Sequence, residues 1–355
     1  MFQNLWSLFT LAAFVFAVPS AAFTQDISLS VDKEHMAGIV AAHTASLEGW
    51  RTGDVLIRYN KTGDAKNIRF GEKIAGVAEQ IEVLGPDAMS VVTRDNSLFR
   101  LVFDFDEQRA LVINRCEREE RGFNGLDEEI MPAKINIDDR VLLYDKTVNR
   151  AFTRLDAGVI HRVANNNLPP LIQMLHSMNV PDLRYFGCGE ISYWNFEFLR
   201  SQIEFSGNVR RMHKIENVGK ERYRVTVRAE GEEPFVRQYA IDWDVQRFVP
   251  VKFVSYDYLP PGGKPTQIAT VNWQSIDGQF VPQSARFTLR KYPQYFDRIF
   301  ALTEEIEVEI HWFSFNTKLP EELFDEKLLH DRKKLDELLN IDVFEANRKD
   351  KSTRE

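Results

Sequence analysis

Apolar and polar residues alternate along most of this chain, the period-two signature of strands that bury one face. The clearest run is 305–312, where Ile306, Val308, Ile310 and Trp312 point to a core and Glu305, Glu307, Glu309 and His311 point away. Tyr223, Val225 and Val227 alternate with Arg222, Arg224, Thr226 and Arg228; Phe287 and Leu289 alternate with Arg286, Thr288 and Arg290. Three Glu and a His on one strand face invite a metal or acid–base reading. The basic row at 286–290 offers a simpler account, opposite-charge pairs across neighbouring strands.

One phrase recurs. Ile241-Asp242-Trp243 leads through a polar turn to Phe248-Val249-Pro250, and Val271-Asn272-Trp273 leads through Asp277-Gly278 to Phe280-Val281-Pro282. Asp104–Val112 echoes it. Each copy predicts a hairpin, and Asp-Gly supplies the positive φ that a tight turn requires. Further strands are predicted at 54–59, 90–93, 98–104, 110–114, 141–144, 151–154 and 209–215, with a turn at 60–63 and an exposed charged loop at 117–129. Helical spacing appears at 31–50 (Met36, Ile39, Val40, Ala42, Leu47), at 193–205 and from Leu319-Pro320 to about 340. A short helix entered through Leu168-Pro169-Pro170 carries Leu171, Met174, Leu175 and Met178. It reads either as a plug in the core or as a lid over an apolar cavity, since Met fills irregular space. The predicted fold class is α+β and β-rich: an antiparallel meander with covering helices.

Composition narrows the function classes. The chain has 355 residues, a net charge of −8 and an aromatic share of 12%. It is long enough to bury about three quarters of its unfolded surface. Basic blocks are missing, which argues against a nucleic-acid partner. Residues 2–18 are almost wholly apolar and Pro19-Ser20-Ala21-Ala22 follows, which predicts a signal peptide cleaved after Ala22 and export to the periplasm or beyond. No Lys or Arg precedes the apolar run, so a retained N-terminal anchor is the competing reading. Cys116 and Cys188 are either one disulfide, as export permits, or two separate buried thiols; two cysteines at this spacing make no zinc site. The expected organisation is a signal peptide at 1–22, one β-rich domain at 23–340 whose two halves meet near 180–190, and a polar tail at 341–355.

Catalytic motifs are scarce. The sequence holds no Gly-x-Ser-x-Gly elbow and no His-Glu-x-x-His. Asp104 and Asp106 share a strand face but read as a solvated strand end rather than a metal pair. No catalytic residue, metal or cofactor is assigned. A hydrolase is the third-ranked reading, and it would need His161, His176, His213 or His311 beside a carboxylate and a nucleophile.

The order of apolar N-terminal segment, helix, antiparallel meander and Trp-x-x-Ile-Asp-Gly-x-Phe-Val-Pro strands resembles the periplasmic lipoprotein-carrier superfamily of LolA and LolB type. The segment Trp312-Phe313-Ser314-Phe315 through Leu319-Pro320-Glu321-Glu322-Leu323-Phe324 is similar to that superfamily's closing stretch. The resemblance covers mainly 235–325. It implies a curved, incomplete barrel whose helices close an apolar cavity for acyl chains, and it implies carriage without catalysis. Candidate lining residues are Phe103, Phe105, Trp243, Trp273, Phe280, Trp312, Leu171, Met174, Leu175 and Met178. The expected function is an exported, non-catalytic protein that binds a lipid or other apolar ligand in the cell envelope. The alternative is an envelope structural or interaction module with a protein partner and no small ligand.

Overall fold

The computed structural model describes residues 33–69, 90–122, 134–155, 159–162, 168–177, 182–186, 207–228, 238–256, 265–291, 294–295, 298–340 and 342–344. The predicted signal peptide, the 193–205 helix and most of the central connector lie outside them. Residues 31–355 belong to one compact unit.

The first helix, α1 (Lys33–Glu48), precedes six strands: β1 (Thr52–Arg69), β2 (Ser90–Asp104), β3 (Arg109–Gly122), β4 (Lys134–Asp145), β5 (Arg150–Arg154) and β6 (Ile160–Arg162). After α2 (Leu171–Ser177) and a 3-10 turn (Leu183–Tyr185) come β7 (Met212–Gly219), β8 (Arg222–Arg228), β9 (Gln238–Asp244), β10 (Val249–Tyr256), β11 (Gln267–Ile276), β12 (Gln279–Lys291), the two-residue β13 (Gln294–Tyr295) and β14 (Arg298–Phe315). All described pairings are antiparallel. The ladder runs β6-β5-β4-β3-β2-β1-β14-β12-β11-β10-β9-β8-β7, with β13 set against β14 and no described pairing between β6 and β7. Two meanders are thus sewn together where the first strand meets the last, in an unclosed sheet.

Several strands exceed their sequence signal. The turn expected at 60–63 is strand, because β14 and β2 hydrogen-bond β1 on both flanks there. Segments 90–93 and 98–104 are one strand with an irregularity between Val92 and Arg94. The loop expected from 117 is strand to Gly122, paired with β2 and β4; the rest of it lies outside the described residues. In each case a two-sided ladder outweighs weak local propensity.

The repeated phrase is a repeated structural device. Asp104, Asp145 and Asp244 each end a strand and accept turn N–H groups: Glu107 N at 2.9 Å, Thr147 N at 3.0 Å and Arg247 N at 3.0 Å. Each loop then closes through a left-handed residue, Gln108, Asn149 or Phe248, with φ of 51, 52 and 54°. Downstream, Pro250 and Pro282 lack an N–H, and the ladder skips one residue after each. Their carbonyls accept from the Trp of the next strand: Trp273 Nε1 to Pro250 O at 2.7 Å, and Trp312 Nε1 to Pro282 O at 3.0 Å. Asp277 and Gly278, both at positive φ, make the tight β11–β12 turn.

Each face of the sheet has its own cover. On the inner face, the one that α1 and α2 cover, both helices pack into one apolar cluster that includes residues from β1 to β5, from β7 to β12 and from β14. The Leu183–Tyr185 turn bridges the halves, with Phe186 at 6.1 Å from Phe287 and the Arg184 guanidinium 5.2 Å over Phe105. On the outer face Leu56, Val102, Leu111, Ile113, Val141, Leu143 and Phe152 meet Leu319, Leu323, Phe324, Leu328, Leu329, Leu335, Leu339 and Phe344. This C-terminal strap is not the single helix expected. Asp325 and Asp331 cap within it and divide it into 3-10 turns at Glu321–Phe324 and Glu326–His330 and a short α3 (Arg332–Leu338). Phe344 is buried beneath Arg58, so the strap reaches beyond the expected tail boundary at 341.

Candidate functional site

Strands β2, β9, β11, β12 and β14 and helix α2 bring the predicted lining residues to one face. Phe103, Trp243, Trp273, Trp312, Leu171 and Leu175 are members of the inner-face cluster, and Phe105, Phe280 and Met174 pack against it. Met178 and Cys188 lie outside the described residues.

These side chains are in contact with one another. Trp243, Leu171 and Leu175 have no accessible surface, so no water-sized void adjoins them. The ring of Phe103 lies 4.8 Å from that of Phe105, and Trp312 meets Trp50 edge-on at 5.5 Å. A Cβ on Gly53 would stand 2.5 Å from the Phe103 ring and 3.1 Å from Trp312, so this glycine is required by close approach. From α1, His43 inserts between Trp243 at 5.6 Å and Trp273 at 5.8 Å, edge-on to both. Neither of its ring nitrogens has a hydrogen-bond partner. Burial drives its pKa down to about 4; the nearby Phe248 backbone opposes that shift without reaching hydrogen-bond geometry. The imidazole therefore acts here as a neutral apolar wedge. The α2 segment is pinned at its entrance, where Leu171 N donates to Gln108 Oε1 at 3.1 Å and Leu168 N to Asn149 Oδ1 at 3.1 Å, and the Tyr144 hydroxyl donates to Pro169 O.

Further along the same face the rows turn polar, a feature the sequence reading missed. Tyr59, Ser97 and Cys116 stand side by side on β1, β2 and β3, and Lys61, Asp95 and Arg118 form the next row. Ser97 donates to Asp95 at 2.6 Å, Arg118 Nη2 at 3.1 Å, and the Cys116 thiol contacts the same carboxylate at 3.4 Å. Lys61 pairs with Glu304 of β14. Two carboxylates and two cations thus balance each other. Burial, with Asp95 adding to it, pushes the Cys116 thiol up against the opposing hydrogen bond from Ser97. The Tyr59 hydroxyl is likewise held up by burial and by Asp95 and Glu304. Both stay protonated at neutral pH. A thiol in this state is a poor nucleophile, and it stands here as a free, buried donor. The missing signal was the joining of 90–93 to 98–104 and the extension of β3, which together set Asp95 and Arg118 on one face.

Other candidates resolve into structure. Arg286 pairs with Glu307 at 3.1 Å, Thr288 donates to Glu305 at 2.9 Å, and Arg58 pairs with Glu309, so the acidic row of β14 meets basic and polar neighbours on both sides. Asp104 pairs with Arg109 and Asp106 with Arg51, each at 3.3 Å. Among the described residues no group of three or more His, Cys, Asp or Glu is placed to hold a metal. On the outer face His311 lies edge-on to Phe313 at 4.6 Å, and that ring also covers Arg100, which pairs with Asp54 at 2.6 Å. Burial first, and Arg100 second, lower the pKa of His311.

No family model matches the chain, and no curated protein matches it. A solved structure described as "Crystal structure of MucB in complex with MucA(peri)" aligns with 79% of this chain and 99% of that chain. Identity is 8% and the TM-score is 0.15. The match is weak. At that level it fixes neither a family nor a function.

Proposed function

We propose that this chain is an exported, non-catalytic interaction module of the cell envelope, working through the surfaces and edges of its sheet. One observation carries the reading: on the inner face that would hold a guest, α1, α2 and the chain's own aromatic side chains are packed against one another. Ligand pockets of the usual size, some 300 Å³ or more, need lining residues with free surface; Trp243, Leu171 and Leu175 have none, and Phe103, Trp273 and Trp312 keep only 3, 8 and 9%. The apolar segment at 2–18 and the small residues before Ala22 support export.

Carriage of a lipid is the second reading. It is favoured by the gradient along the inner face, from the Trp312, Val55, Leu101 and Val112 row to the polar Tyr59, Ser97 and Cys116 row, which suits an amphiphile. A guest would then enter only by displacing α2. Titration with a fluorescent fatty acid separates the two. The interaction module predicts no saturable change in the probe or in Trp emission. A saturable, one-to-one response lost on replacing Leu175 with a charged residue would overturn it.

A further inference from the structure

Strand β4 is covered by β3 along its whole length, but β5 covers only Val141–Asp145 of its other side. Residues 134–138 therefore present a row of backbone donors and acceptors that no described strand pairs on that side. Sheet edges are commonly blunted by a bulge or a proline, yet the β3–β4 register is unbroken and 134–140 contains no proline. Ile135 and Ile137 project from the outer face of this edge at 62 and 67% exposure, the two most exposed large apolar residues among those described. Lys134, Asn136 and Asp138 occupy the opposite face.

We propose that this edge pairs with the same edge of a second copy, antiparallel about a two-fold axis at Asn136. The inference rests on the interaction-module reading and names its partner. The sequence is self-complementary in this register. Ile135 of each copy meets Ile137 of the other, Lys134 meets Asp138, and Asn136 meets itself. The pairing thus supplies two apolar and two opposite-charge cross-strand contacts, with ladder hydrogen bonds along the edge. Neighbouring registers are worse. Centring on Ile137 sets Lys134 against Arg140 and Ile135 against Asp139. Any register between residues lines the inner face of one copy up with the outer face of the other. In the single chain Asp138 pairs with exposed Arg140 at 2.7 Å, a surface contact that exchanges for Lys134 at little cost. An interface with a two-fold axis is self-limiting, so a closed dimer forms rather than a fibre.

Sedimentation velocity of the mature chain over a concentration series tests this. The unaltered protein should move from monomer to dimer, and Ile137→Lys should weaken that association by tenfold or more while leaving the circular dichroism and melting profile unchanged. Asn136→Cys should form a disulfide with itself on oxidation, identified by non-reducing peptide mapping; Arg140→Cys should not. Hydrogen exchange at 134–138 keeps two failures apart. Fast exchange in a protein that stays monomeric means the edge is open but takes no second copy, which overturns the dimer and leaves the interaction module standing. Slow exchange in a monomer means the edge is already covered, which removes the structural basis of both.

Discussion

His43 shows how a single side chain can be decisive for docking without being chemical. Its pKa of about 4 when folded lies below the ordinary 6.5, so the unfolded chain takes up a proton that the folded chain refuses. That penalty is absent at pH 7, grows as pH falls below 6.5 and is complete below 4, where it amounts to about 3 kcal/mol. Denaturant unfolding at pH 7 and pH 4.5 should show the loss, and His43→Leu should remove this part of it. An equal pH response in the variant would contradict the account. Gly53 makes a steric case: Gly53→Ala drives a methyl into the buried Phe103 ring and should cost about 1–3 kcal/mol, read as a lower melting temperature. The Trp pattern gives a third test. Trp273 and Trp312 donate to proline carbonyls, whereas Trp243 Nε1 has no partner. Replacing Trp243 with Phe should therefore cost about 1 kcal/mol less than the same change at Trp273.

At the level of elements, the Asp-capped hairpin recurs with different residues at its left-handed position. Asn149 tolerates the left-handed conformation, but Phe248 takes φ of 54° at a steric cost. Phe248→Asn should stabilise the β9–β10 turn by about 0.5–1 kcal/mol, seen as a raised denaturation midpoint; a lowered one would mean that the ring contributes more than the backbone loses. These hairpins were legible in sequence because the Trp, Asp and Phe-Val-Pro positions are local signals. The cross-strand charge pairing of Arg286 with Glu307 was legible for the same reason, since both rows alternate strictly. The length of β1 and β3 was not legible. Asn60–Gly63 and Glu117–Gly122 carry little strand propensity and are held extended by the ladders of neighbouring strands, which no local signal announces. The polar cluster at Tyr59, Asp95 and Cys116 was hidden with them, because its members share a face only once those strands run straight through. The strap from Leu319 to Phe344 was read as a plain helix; its caps at Asp325 and Asp331, and its role as cover for the outer face, needed the partner surface to be seen.

For the whole molecule, both faces of the first half-sheet are covered by the chain's own segments, and the free surface lies at an edge. The aromatic residues that look like a ligand's lining in the sequence are brought together, as that reading required, but as a packed interior. The central claim is that this interior is full. Lipid extraction and mass spectrometry of the mature chain, expressed by export and purified without detergent, test it most directly. The account predicts polypeptide alone. A lipid recovered at one per chain would contradict it, and would turn α2 from a plug into a lid.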